Sequence, residues 1–488
     1  MKSTIPNSLV RCMDLKIVSI LLLGFWTIGP VPIDASAQAG AFDDSFLGGV
    51  GADEDVDHIF LLPNDRLLIG GSFTTYNGIN KNGLVRTDEN GVIDNSFSIG
   101  SGLLRDDEYL PGVFTIKNSG LGGYYIGGRF DTYNGFPRDG IVRIHNDGTL
   151  DPAFDPGIGV TGNNVLALAV QMGNRVLVGG SFGAYDGQTA RGLCRVMSDG
   201  SLDPTYVSLF HSSAVVDGIH VDANNYAYVG GDFGSFDGEP AHKIVKLLPN
   251  GGLDPNFQNA STCNAWVDKI LPSGDGNFYL VGNFTEYDGF EANKVAKINS
   301  QGSLIHAYDV GSGPDYFIED AVVQTDGKII LVGSFTTFNG QPAPHIVRLM
   351  QDGSVDPEFM AGSGSTYTIH ACALQSDGKI IIGGNFSDYN GHPVNNMARL
   401  HNDFTANIAG SPAYSPFSIY PNPASQSCSI VGNRSNMPLS VTLSDVQGRV
   451  VRSMTTTKHI NTAELVSGLY VVQIAEGENS STVRLLVD

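Results

Sequence analysis

A phrase of the form "IGGSFTTYNG" (Ile69 to Gly78) occurs seven times along the 488-residue chain, and its phenylalanine sets a register: Phe73, Phe130, Phe182, Phe233, Phe284, Phe335 and Phe386. The intervals are 57, 52, 51, 51, 51 and 51 residues. A period of this size belongs to propellers, solenoids and arrays, in which each repeat is one supersecondary unit that buries its apolar face only against its neighbours. Seventeen residues before each register Phe stands Val56, Val113, Val165, Val216, Val267, Ile318 or Ile369. Twenty-four after it, in six units, stands Phe97, Phe154, Tyr206, Phe257, Tyr308 or Phe359. The span from the aliphatic residue to this second aromatic is constant, so length varies only in the connection between units.

Within a unit, four short apolar or alternating runs are separated by turn signals. In the third they are "VLALAVQ" (Val165 to Gln171), "RVLVGGSF" (Arg175 to Phe182), "GLCRVM" (Gly192 to Met197) and "SLDPTY" (Ser201 to Tyr206). Asn-Gly and Asp-Gly pairs between such runs predict tight hairpins. The 61 glycines fit a chain of many turns, and no stretch has helical periodicity. Four antiparallel strands per unit and seven units give a seven-bladed β-propeller. Pro152, Pro204, Pro255 and Pro357 all fall in the fourth run. Proline cannot donate to a ladder, so that run is expected at the outer edge of each blade. The glycine pair of the phrase is expected where backbones approach closely, and its Phe between blades.

The seventh unit lacks its fourth run, and "FDDSF" (Phe42 to Phe46) supplies a matching piece at the other end of the chain. The expected fold is therefore all-β: a seven-bladed propeller at residues 38–404, closed by an N-terminal outer strand. "GGSFTTYNG", "LVRTDENG" and "LDPAF" (Leu150 to Phe154) resemble the delta-60 repeat family, β-propellers of secreted bacterial proteins. The fifth unit departs from it with "LIHAY" (Leu304 to Tyr308), which lacks the Asp-Pro pair, and with "VGNF", which lacks one Gly.

Both ends carry further segments. Lys2, Arg11 and Lys16 precede an apolar run from Ile17 to Ile28, and small residues stand at Ala35 to Ala37, which predicts a signal peptide over residues 1–37 and no transmembrane segment in the mature chain. After a linker at 405–416, alternating β-branched runs predict a small C-terminal β-sandwich at 417–488. There Pro421, Asn422 and Pro423, then Asp445, Gly448 and Arg449, then Gly468, Leu469 and Tyr470, resemble the type A C-terminal sorting domain of the type IX secretion system. That resemblance implies export through the periplasm to the medium or the outer surface of a Gram-negative bacterium, with the type IX machinery as a partner of residues 417–488.

The formal net charge of −22 is the wrong sign for nucleic acid or anionic lipid. Cys194, Cys263, Cys372 and Cys428 occupy unrelated repeat positions, so buried free thiols are expected in place of a disulfide framework. "GGSFG" (Gly179 to Gly183) matches a nucleophile elbow and "GIGVTG" (Gly157 to Gly162) a phosphate loop, but neither leads into a helix. No zinc spacing of Cys and His is present.

One constellation carries chemistry. Sixteen residues before each register Phe, at the start of the innermost strand, stand Asp57, Phe114, Leu166, Asp217, Asp268, Glu319 and His370. Converging strands would gather Asp57, Asp217, Asp268, Glu319 and His370 at one rim of a central channel. Such carboxylates can act in acid/base chemistry, offer oxygen ligands to Ca²⁺, or simply be solvated and pair with Lys269. The variable connections lead to the same rim. They bring Arg105, Asp106, Asp107, Glu108 and Tyr109, then Trp266, then Asp315, Tyr316 and Phe317, with Asp53, Glu54, Asp55 and His211 in other copies. Variable loops on a rigid scaffold are where binding concentrates. The preferred expectation is a non-catalytic binding module for glycan or protein, without a required cofactor. The alternative is a secreted enzyme acting on polysaccharide through carboxylates such as Asp217 and Asp268.

Overall fold

The computed structural model describes residues 38–402 and 418–487, apart from 47–50, 106–108, 163, 207–209, 212, 259–262, 421–425, 432–438, 446–449, 457–458, 467 and 477–478. The signal peptide and linker expected at 1–37 and 405–416 lie outside the described residues, as do Asp106, Asp107, Glu108, Pro421, Asn422, Pro423, Gly448 and Arg449. Contacts divide the chain into units at 1–405 and 406–488.

The first unit is all-β. Apart from one 3₁₀ turn at Pro63–Asp65, the described residues form strands and turns. Seven three-stranded antiparallel sheets repeat one plan, the first being Val56–Leu61, Leu67–Gly71 and Leu84–Thr87, with the middle strand central. The inner strands of the other six are Gly112–Asn118, Asn164–Gln171, Val215–Val221, Val267–Pro272, Ile318–Val323 and Ile369–Leu374. Each inner strand packs on that of the next sheet, and Val56–Leu61 of the first packs on Ile369–Leu374 of the seventh.

The recurring phrase makes two structures. Its first half is the end of the middle strand. Its second half is a two-residue hairpin of its own, such as Thr75–Tyr76 with Ile79–Asn80, whose turn residues Asn77 and Gly78 have φ of 53° and 71°, as a type I′ turn requires. The tyrosine hydroxyl then reaches across the unit: Tyr185 donates to the Gly200 carbonyl at 2.7 Å and Tyr287 to that of Gly302 at 2.7 Å. The register phenylalanines are buried.

The glycine pair serves two different contacts. A Cβ on Gly127, Gly179 or Gly230 would press within 2.6–2.9 Å of Val165, Val216 or Val267 on the next sheet, so the first glycine is a socket for the neighbour's register aliphatic. Gly383 of the seventh sheet is the socket for Val56 of the first. In the fifth and sixth sheets Val281 and Val332 stand there and pack with Ile318 and Ile369. The second glycine (Gly71, Gly128, Gly180, Gly231, Gly282, Gly333, Gly384) never varies, because a Cβ there would overlap the backbone carbonyl just ahead of the register aliphatic in its own sheet.

The fourth run differs from expectation. It forms no ladder, and a single bridge ties it to the third strand, as in Ile144 with Leu150 and Val196 with Leu202. The aspartate of the Asp-Pro pair is the reason. Asp151 accepts from the Ala153 amide at 2.9 Å and from Arg143 Nε at 2.7 Å, so the chain turns away where a strand would continue. The same arginines cross to the next sheet: Arg195 donates to the Pro249 carbonyl at 2.6 Å and Arg348 to that of Asn402 at 2.8 Å. The second aromatic lies over the guanidinium, with Tyr206 at 4.5 Å from Arg195 and Phe97 at 4.8 Å from Arg86.

At the ends of the unit this pattern is repeated between distant residues. Phe42 bridges Leu400, Arg399 Nε donates to Asp43 at 2.7 Å, and Arg399 Nη1 donates to the Glu89 carbonyl of the first sheet at 2.9 Å. Tyr389 donates to the Gly40 carbonyl at 2.8 Å. In the fifth unit Lys297 pairs with Asp275 at 2.8 Å in place of the missing Asp-Pro aspartate, and the Ile298–Leu304 bridge persists. Among the described residues, Cys194, Cys263, Cys372 and Cys428 are free and buried.

The second unit has a sheet of Ser418–Tyr420, Ser427–Val431 and His459–Asn461 and another of Val450–Thr456, Leu439–Asp445, Gly468–Glu476 and Asn479–Val487. Cys428, Ile430 and Ile460 of the one share a core with Leu443, Val472, Ile474 and Leu485 of the other.

Candidate functional site

Every inner strand carries a bulge, and it falls at the same place. In the first sheet Val56 pairs with Gly71 and His58 with Gly70, which leaves Asp57 as the extra residue. The same shift leaves Phe114, Leu166, Asp217, Asp268, Glu319 and His370 unpaired in the other six. A bulge re-aims a side chain that a flat ladder would hold against its neighbour. All seven bulged residues line one cavity of about 440 Å³, together with Trp266, Lys269, Phe317 and Ile318. The sequence position was legible; the bulge that turns it inward was not, although the unvarying second glycine is its trace.

The cavity has an acidic side and an apolar side. Asp217, Asp268 and Glu319 come from three successive sheets, and Phe114 and Leu166 from two others. Burial raises the carboxyls of Asp217 and Asp268, to about 6 and about 8. The charges of Asp217 and Glu319 raise Asp268 further, while Lys269 and the Trp266 side chain oppose the rise. Asp57 is also raised by burial, against the pull of His370 and the hydroxyl of Ser72, which donates to it at 3.0 Å. Ser334 donates to Glu319 at 3.3 Å. Lys269 does not form its ion pair with these acids; it bonds Asp320 one layer deeper, at 3.2 Å. Next to these residues, burial and the charges of Lys117 and Lys269 hold His58 well below the usual imidazole range, and burial and the Lys269 charge hold Lys117 low.

Aromatic residues stand over the acidic side. Trp266 and Phe317 lie 6.3 Å apart, and Tyr316, 55% exposed, meets Phe317 edge-on at 4.4 Å. Tyr109 is 67% exposed, with the guanidinium groups of Arg105 and Arg129 each 5.9 Å from its ring. Asp315 does not face the cavity. Its carboxylate accepts from the amides of Thr336 and Thr337 at 2.8 and 2.9 Å, and so clasps the hairpin of its own unit. Asp53 clasps Thr74 and Thr75 in the same way. A larger groove of about 710 Å³ lies beside Phe338, Pro342 and Met360, but it gathers no comparable set of ionisable groups.

Two family models match the chain. Residues 62–97, 122–154, 174–206, 228–257, 274–304, 324–359 and 375–403 match the model of a β-propeller domain of unknown function, DUF5122. Residues 418–488 match a secretion system C-terminal sorting domain, which directs a chain to the medium or the outer surface. No curated protein matches. Among solved structures, the extracellular domain of a one-component system from B. thetaiotaomicron is 11% identical, with 89% of this chain and 69% of that one covered and a TM-score of 0.32. A catalytically inactive virginiamycin B lyase from Staphylococcus aureus with quinupristin is 9% identical over 90% and 98% of the two chains, at a TM-score of 0.29. An exported protein from Bacteroides fragilis is 11% identical over 60% and 82%, at 0.31.

Proposed function

As this chain belongs to the DUF5122 β-propeller family and ends in a secretion sorting domain, we propose that it works outside the cell as a closed seven-bladed propeller that binds a glycan at its channel mouth. The tail, in this reading, is a β-sandwich that engages the type IX machinery. The observation that carries the proposal is the convergence of seven bulged residues on one cavity beneath exposed aromatic rings. Carboxylates accept hydrogen bonds from sugar hydroxyls, and Trp266 and Tyr316 offer faces for a pyranose ring to stack on. A glycan-array screen of the full secreted chain tests it. Binding should appear for a limited set of glycans and fall at least tenfold in Trp266→Ala and Tyr316→Ala. Unchanged binding in both variants would move the ligand elsewhere.

One observation favours the enzymatic reading. Asp268, raised to about 8 by burial and by the charges of Asp217 and Glu319, is a carboxyl that keeps its proton near neutral pH, as a general acid must. Release of reducing sugar from a bound polysaccharide, abolished in Asp268→Asn, would favour it; silence across glycans that bind would leave the binding module.

A further inference from the structure

The seam between the first and seventh sheets places three possible metal ligands together. Asp55, Asp57 and His370 each offer one ligand atom, and these atoms all lie within 4.8 Å of one another. Around a zinc-sized ion, bonds of about 2.0–2.2 Å put ligand atoms roughly 3–4 Å apart, so small side-chain rotations close the set. We propose that Asp55, Asp57 and His370 hold a divalent ion of the Zn²⁺ or Mn²⁺ type at this seam, with its remaining coordination positions open to the channel-mouth cavity.

The frame around these residues is built to hold them. Asp57 and His370 are bulged residues of adjacent inner strands, and Val56 between the two aspartates is seated in the Gly383 socket. Ser72 fixes both aspartates at once: its amide donates to the Asp55 carbonyl at 2.9 Å and its hydroxyl to Asp57 Oδ2 at 3.0 Å. From the seventh sheet, Asn396 Nδ2 donates to the carbonyls of Ala52 and Glu54 at 3.0 and 3.1 Å and so pins the loop that carries Asp55. Outer contacts of this kind orient the ligands of a metal site. Two carboxylate oxygens and one imidazole nitrogen favour Zn²⁺ or Mn²⁺ over Ca²⁺, whose sites are made of oxygen alone. Three protein ligands leave room for water or for an oxygen of a bound molecule. The site stands on its own geometry and does not depend on the glycan reading.

The test is metal titration calorimetry on the full chain, stripped with chelator and purified without a polyhistidine tag, using Zn²⁺, Mn²⁺ and Ca²⁺ separately. One equivalent of Zn²⁺ or Mn²⁺ should bind. Asp55→Asn and His370→Ala should each weaken it at least tenfold, Ser72→Ala roughly tenfold or more, and Asp237→Asn, at an exposed hairpin turn of the fourth unit, should leave it unchanged. Circular dichroism checks that each variant is folded. Co²⁺ loaded into the unaltered chain gives a second readout, since its visible spectrum reports mixed nitrogen and oxygen ligation. The proposal is overturned if no equivalent of Zn²⁺ or Mn²⁺ binds, if only Ca²⁺ binds, if folded His370→Ala binds as tightly as the unaltered chain, or if the Co²⁺ spectrum shows oxygen ligation alone.

Discussion

In five of the seven units the most informative single residue is a buried arginine of the third strand (Arg86, Arg143, Arg195, Arg348 and Arg399), with Lys246 and Lys297 at that position in the other two. Arg143 bonds Asp151 at 2.7 Å, reaches the Ser198 carbonyl of the next unit, and carries Phe154 at 5.2 Å. The Asp-Pro pair is visible in the sequence, where its proline marks an edge, but the aspartate does the bonding, with a partner eight residues earlier. Arg143→Met should strand Asp151 and cost about 3–5 kcal/mol, whereas Arg143→Met with Asp151→Leu should recover part of that loss. Urea denaturation of the three proteins measures both. Asp268 makes a second residue-scale prediction. Its carboxyl is raised from 3.8 to about 8, so the folded chain keeps a proton that the unfolded chain releases between those values, and stability falls as pH rises across that interval. Asp268→Asn should therefore raise the melting temperature at pH 8, with the gain shrinking to nothing near pH 4.

At the scale of the element, the inner strand and its bulge decide where chemistry can be placed. The two-residue hairpins and the register of the apolar runs were legible, because Asn-Gly turns and period-two alternation have local causes. The bulge was not, since it arises from a backbone pairing between strands. The same holds for the fourth run, expected as a strand and found as a single-bridge edge. The second glycine of the phrase is the position that lets the bulge form. Gly180→Ala would drive a Cβ into the Asn164 carbonyl and should cost about 2 kcal/mol or more, while Gly183→Ala, with open space around it, should be nearly neutral. Thermal melts of the two variants compare them directly.

For the propeller unit as a whole, the proposed binding site needs the first and seventh sheets to pack together, because only then do Asp57 and His370 meet at a seam and the other five bulged residues share their cavity. The repeat count and the candidate rim positions could be read from spacing alone; the clasping roles of Asp315 and Asp53 could not, since those depend on threonines in a hairpin twenty-one residues away. The central claim is that the N-terminal segment completes the seventh blade. Its amides donate into that blade, Gly40 to the His401 carbonyl at 2.7 Å and Asp43 to that of Arg399 at 2.8 Å. Amide hydrogen exchange of the secreted chain tests this most directly. Gly40 and Asp43 should exchange as slowly as the amides of Met397–Leu400; exchange at the rate of an unstructured peptide, with Met397–Leu400 still protected, would contradict completion of the blade by this segment.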